Sequence, residues 1–406
     1  MPISKLWSLA LRDLGRNRRR SLLTLLAVAL GLALLIVLNG LIAGVFADSL
    51  QNSIRLRTGH VQLRAEGYLD DQLSLQAKDL LANPAELAGR AAALGQVKAA
   101  APVIWASAML GTLDDSSGVQ LYGVDPASPI YAPIREAVVA GEFLTADDRS
   151  GVLIGKTLAD SLGIAVGQKV GLALVNADGS PDEGAFTVRG LFATGIPTYD
   201  QSAALMPLSK AQAFTGVGDR ASAIVILLNR QEDTDAVAAA LRAPGMAVLT
   251  WSDLNQLFVQ AIQTSMGFYI ILDLIVMLII ANTLLMSVFE RIREIGILSA
   301  LGMKRREIRR MFLLEASTLG LAGCLLGLAI GLAGVAYLSV NGIALTDKQA
   351  SVAGNSFALG TAMYARFAAG TFASLALATL LIVLIGSLYP AWYAARLEPI
   401  AALRAE

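Results

Sequence analysis

The hydrophobic pattern divides the chain into four nearly uncharged runs and one long alternating segment. Residues 21–47, 316–346 and 367–395 contain no Asp, Glu, Lys or Arg, and 254–289 contain only Asp273. Each run exceeds the roughly 20 apolar residues that carry a helix across a hydrocarbon core. Residues 48–253 instead alternate short apolar stretches with charged and turn residues, as a water-exposed domain with its own core does. The pattern there predicts a strand at 59–68, a helix at 85–94, and strands around 97–113 and 119–124. GVLIGKTLADSLGI then reads as strand and helix, and GQKVGLALV, FTVRGLFATGI and ASAIVILLN as strands. A helix at 233–242, the strand MAVLTW and a helix from Asp253 running into the second span complete it.

The predicted fold class is a membrane α-helical protein with four transmembrane helices. A large extracytoplasmic mixed α/β domain is inserted between the first and second of them. The expected boundaries are a basic interfacial helix at 1–20, the first span at 21–47 and the α/β domain at 48–262, with an inserted β-rich lobe at about 140–208. The second span follows at 263–289, a cytoplasmic segment at 290–311, the third span at 312–340, a short outer loop at 341–366, the fourth span at 367–390 and a tail at 391–406.

Charge fixes the orientation. The whole chain balances 32 basic against 32 acidic residues, yet residues 48–253 hold 23 acidic and 15 basic ones. Lys5, Arg12, Arg16, Arg18, Arg19 and Arg20 precede the first span, and a second basic cluster at 291–310 separates the second from the third. Basic residues concentrate on the cytoplasmic side, so both termini are expected inside and the α/β domain outside. The first span is longer than a signal-peptide core and lacks a small-x-small cleavage site, so it reads as an uncleaved anchor. Cys324 is the sole cysteine, which leaves no disulfide within the chain.

Candidate chemistry is sparse. The chain has no GxxxxGK[ST], GxSxG, HExxH or CxxC, and its single histidine, His60, cannot build a triad or a zinc site. A non-catalytic polypeptide is therefore expected, with no cofactor, no metal and no nucleic acid bound by the chain. Asp273 reads either as a functional intramembrane acid or as a helix-end charge at the outer interface, the second being preferred because 274–289 nearly completes a tilted crossing. Gly40 and Gly44 in the first run, and Gly323, Gly327 and Gly331 in the third, stand four apart. That spacing puts glycine on one helix face, where another backbone can approach.

The segment ERIREIGILSALG, from Glu290 to Gly302, opens with Glu290, Arg291, Arg293 and Glu294 and continues as an apolar stripe. Lys304, Arg305, Arg306, Arg309 and Arg310 follow it. Its position between two spans places it at the cytoplasmic surface, where a partner can push.

ERIREIGILSALGMKRREI, then FLLEASTLGLAGCLLGLAIG, and finally SLYPAWYAARLEPIAALRAE resemble the signatures of FtsX/MacB-like permeases of ABC transporters. The likeness covers the whole layout and is greatest to the lipoprotein-releasing (LolC/LolE-type) permeases. It implies a dimer of permease chains, as a homodimer or with a sister chain, bound to two copies of a cytoplasmic ATPase that holds ATP and Mg²⁺. It also implies an inner-membrane location and mechanotransmission, in which ATP-driven helix movement levers the periplasmic domain. The contact with the ATPase is assigned to Glu290, Arg291, Arg293, Glu294, Ile295, Gly296, Leu298, Leu301 and Gly302.

Three functions fit this resemblance. Lipoprotein release predicts a lateral opening lined by Leu34, Leu38 and Ile42 opposite Ile270, Leu274 and Met277. It also predicts a periplasmic carrier caught by a hook, for which the loop at 176–184 and GIPTYD at 195–200 are the candidates. The alternatives are efflux of peptides or small amphiphiles with an adaptor protein, and regulation of a cell-wall enzyme.

Overall fold

The computed structural model describes residues 18–68, 73–256, 259–260, 303–346, 349 and 358–394, together with individual residues between 263 and 286. The chain divides into two compact units, one of residues Met1–Phe46, Ile262–Ile343 and Met363–Glu406, the other of Ala47–Ala261 and Ala344–Ala362.

In the helical unit the described residues form long helices. The helix α1 spans Arg18–Ser53, ending within the second unit. Among the described residues, Ser21–Thr58 and Arg309–Asn341 are long and apolar enough to cross a membrane. The described residues from 259 to 286 are all helical. Val28, Leu32, Leu35 and Ile36 of α1 pack with Met277, Cys324, Val335, Phe372 and Val383 into one apolar core.

In the α/β unit, α1 is followed by a π-turn at Ile54–Thr58. The strand β1 (Val61–Ala65) follows, then α2 (Pro84–Ala92) and a 15-residue strand, β2 (Val97–Gly111). Next come β3 (Ser116–Val124), α3 (Ala132–Glu136), β4 (Val138–Gly141), β5 (Gly151–Gly155) and α4 (Lys156–Leu162). The chain continues through β6 (Lys169–Val175), β7 (Pro181–Phe192), α5 (Pro197–Ser202), β8 (Ala203–Pro207) and α6 (Leu208–Thr215). It ends in β9 (Ala223–Leu228), α7 (Thr234–Ala240), β10 (Met246–Thr250) and α8 (Trp251–Leu254).

Strand pairing resolves this order into two lobes. The first is β10-β1-β9-β2, antiparallel throughout, made from two β-α-β passages as in split βαβ folds. Its core places Leu63, Ile224 and Ile226 against Ala88, Ala91 and Val237 of α2 and α7. The second lobe is a hydrogen-bonded circuit, β2-β3-β8-β5-β7-β6, that returns to β2. Inside it lie Leu110, Leu121, Leu153, Leu172, Phe186 and Leu205, each at most 2% exposed. Full burial of each such side chain contributes roughly 1.5–3 kcal/mol.

The strand β2 joins the lobes. Its residues 97–103 pair with β9 and residues 104–111 with β3. The insertion therefore runs from the middle of β2 to the start of β9, larger than the expected 140–208 lobe, because the strands before residue 140 pair with those after it. The helix at Asp253 also differs from expectation. Thr250 and Asp253 form a capping box that starts α8, but the helix breaks at Asn255, whose φ and ψ are −116° and 37°.

Candidate functional site

In the helical unit, glycine decides where helices meet. A Cβ on Gly327 would lie 2.7 Å from the Ala29 carbonyl oxygen, and one on Gly331 2.9 Å from the Ile36 Cβ. One on Gly323 would lie 2.9 Å from the Val28 Cβ, and one on Gly40 2.9 Å from a Val335 methyl. Gly44 abuts the Tyr364 carbonyl, closer than any side chain permits. These positions admit no side chain without moving a neighbour, so the surfaces meet at close range.

Asp273 stands in this unit with described helical residues on both sides. Asn39 donates its side-chain amide to Leu35 O at 2.9 Å and to Asp273 Oδ1 at 3.2 Å. Leu34, Ile270 and Leu274 are more than half exposed, and Leu38 and Ile42 are half-buried. Met277, expected at a lateral opening with them, is instead 8% exposed and packed in the helical core. Glu290 to Gly302, including every residue assigned to ATPase contact, lie outside the described residues.

The α/β unit contains a polar site that the sequence reading missed. Arg64 of β1 is 5% exposed, with its guanidinium 5.3 Å from the Tyr68 ring centre and 5.1 Å from that of Trp105. Its Nε donates to Gln62 Oε1 at 2.8 Å, and Gln62 Nε2 donates to Thr58 O at 2.7 Å. Beside it, Tyr122 donates its hydroxyl to Gln120 Oε1 at 2.9 Å, with the Arg57 charge of the π-turn nearby. Two adjoining cavities of about 380 and 290 Å³ share Arg57, Gln120 and Tyr122 in their walls. Burial pushes the Tyr122 phenol up, opposed in part by the nearby Arg57 charge, and burial pushes Tyr199 well up. Both hydroxyls therefore remain neutral donors. The available signal was the pair Arg55 and Arg57, cations just outside the first span, where Lys and Arg are normally sparse.

The hook candidates separate. In GIPTYD, Tyr199 and Asp200 are 5% and 3% exposed, so α5 is packed in rather than protruding. Asp200 Oδ1 accepts from Thr194 N at 3.0 Å and Thr194 Oγ1 at 2.7 Å. The 176–184 loop is the exposed β6-β7 hairpin turn, with Asn176 Oδ1 accepting from Asp178 N and Ser180 N. His60 is structural. Its Nδ1 accepts from Leu228 N at 3.1 Å, and burial lowers its pKa, both favouring the neutral ring.

Among the described residues two helices are long and apolar enough to cross a membrane, and a separately folded α/β unit lies between them in the chain. The chain belongs to the FtsX/MacB family of ABC transporter permeases. Residues 21–243 match the MacB-like periplasmic core domain and 266–399 the FtsX-like permease C-terminal domain. Lipoprotein-releasing system transmembrane protein LolC of Neisseria meningitidis is 26% identical over 349 residues, 79% of each chain. Macrolide export ATP-binding/permease protein MacB of Hyphomonas neptunium is 28% identical over 429 residues, which is 98% of this chain and 60% of that one. The chain thus spans about three-fifths of that relative's length. Among solved structures, the periplasmic region of MacB from Actinobacillus actinomycetemcomitans aligns at TM-score 0.35 and 16% identity, covering 51% of this chain and 96% of that one.

Proposed function

We propose that this permease couples ATP hydrolysis on a separate cytoplasmic ATPase to work by its periplasmic domain, and that its cargo is lipoprotein released from the inner membrane. The observation that carries the coupling is α1, which runs unbroken from Arg18 to Ser53 and enters the π-turn leading into β1. A helix without a hinge passes displacement along its axis. The glycine contacts at 323, 327 and 331 tie that helix to α9 (Arg305–Asn341), which follows the 290–302 segment. In this reading Glu290, Arg291, Arg293, Glu294 and Gly302 meet the ATPase, which holds ATP and Mg²⁺. Two permease chains, identical or sister, work as a pair, and a periplasmic carrier receives the lipoprotein.

Depletion of the chain in its host, followed by separation of inner and outer membranes and immunodetection of a major outer-membrane lipoprotein, tests the cargo. Retention in the inner membrane is expected. Normal sorting in a viable host would contradict lipoprotein release and move the cargo to efflux or cell-wall control.

A further inference from the structure

The larger of the two adjoining cavities in the α/β unit has the composition of an anion site. Its walls include Arg57, Gln120, Tyr122, Thr198, Tyr199 and Ser202 and contain no Asp or Glu. That absence runs against the unit, where acidic residues number 23 and basic ones 15 over residues 48–253. Among the described residues Arg57 makes no ion pair with a carboxylate, and its charge lies near the Tyr122 hydroxyl.

We propose that this cavity binds a small ligand through a singly charged oxyanion, with Arg57 supplying the countercharge and Gln120, Thr198 and Ser202 neutral donors. The single cation in the wall matches a carboxylate or a phosphodiester, and Leu56 and Ile196 give the ligand's remainder an apolar surface. A cavity of about 380 Å³ lies in the size range of small-molecule sites. The site belongs to the α/β unit alone and stands whichever cargo the permease moves.

Calorimetric titration of the full chain in non-ionic detergent tests this with three probes: N-acetyl-dialanine, its C-terminal amide and glycerophosphoglycerol. The free carboxylate is expected to bind at least about tenfold more tightly than the amide, and Arg57→Gln to weaken it by about tenfold or more, as for a charged hydrogen bond. Binding of glycerophosphoglycerol with the same dependence on Arg57, in place of the peptide, supports the oxyanion site and assigns it to a lipid-type headgroup. Equal binding of acid and amide, binding unchanged in Arg57→Gln, or no binding of either anion would overturn the proposal.

Discussion

Asn39 and Asp273, 234 residues apart in sequence, meet through a hydrogen bond of 3.2 Å from the Asn39 amide to the Asp273 carboxyl. An amide and a carboxyl within an apolar helical unit hold two helices together where dispersion alone does not choose the partner face. Asp273→Leu is expected to lower stability by about 0.6–1.7 kcal/mol, the range of interhelical hydrogen bonds in membranes, while Asp273→Asn keeps most of it. Thermal unfolding of the purified chain in detergent measures both. Equal losses in the two variants would show that the acid acts by charge rather than by this contact.

The glycine contacts give a graded series. Gly327→Ala drives a methyl against the Ala29 backbone, with its Cα 3.1 Å from the new Cβ, and backbone cannot rotate away. A loss of about 1–3 kcal/mol is expected, as for other overpacked interiors. Gly370→Ala meets nothing within 4 Å and is expected to be neutral or to gain up to about 1 kcal/mol from helix propensity. The Tm of the two variants against the parent checks the contrast.

His60 makes the α/β unit sensitive to acid. Burial lowers its pKa in the folded state, so protons bind the unfolded chain more readily. The stability it contributes is present above the unfolded value of about 6.5 and is lost as pH falls through the lower folded value. His60→Gln is expected to flatten that fall. Denaturant unfolding of the two proteins across the acid range is the measurement.

Asp200 has the opposite sign. Burial raises its pKa, against the opposing hydrogen bonds from Thr194 and Gly195. Its contribution is therefore full below the unfolded carboxylate value of about 3.9 and declines as pH rises through the higher folded value. Asp200→Asn, whose side-chain oxygen can still accept from Thr194, is expected to raise Tm at neutral pH and to leave it unchanged in strong acid. A lower Tm at neutral pH would instead assign the carboxylate a stabilising role.

These residues also show what the sequence made legible. Local signals carried far: the uncharged runs marked α1 and α9, and the strands β2, β3, β6 and β9 fall on predicted stretches. What was illegible depended on pairing between distant strands. Nothing local to residues 97–111 says that half of β2 belongs to β9 and half to β3 and β6. Likewise GIPTYD has the composition of an exposed turn, yet Thr194 hydroxyl and backbone donors satisfy Asp200 in the interior. The cavity around Arg57 and Tyr199 was hidden for the same reason, being assembled from α1, β3 and α5. Met277 stands at a spacing that suits an opening but is buried in the same apolar core as Leu32 and Ile36.

The central claim, that this permease is driven by an ATPase pressing on residues 290–302, is tested most directly by purifying the tagged full chain from its host and measuring bound ABC ATPase and its ATP hydrolysis. The parent chain is expected to retain the ATPase, and a double charge reversal, Arg293→Glu with Arg291→Glu, to lose it while the Tm of the chain is unchanged. Full retention of ATPase and activity in that variant would contradict the account.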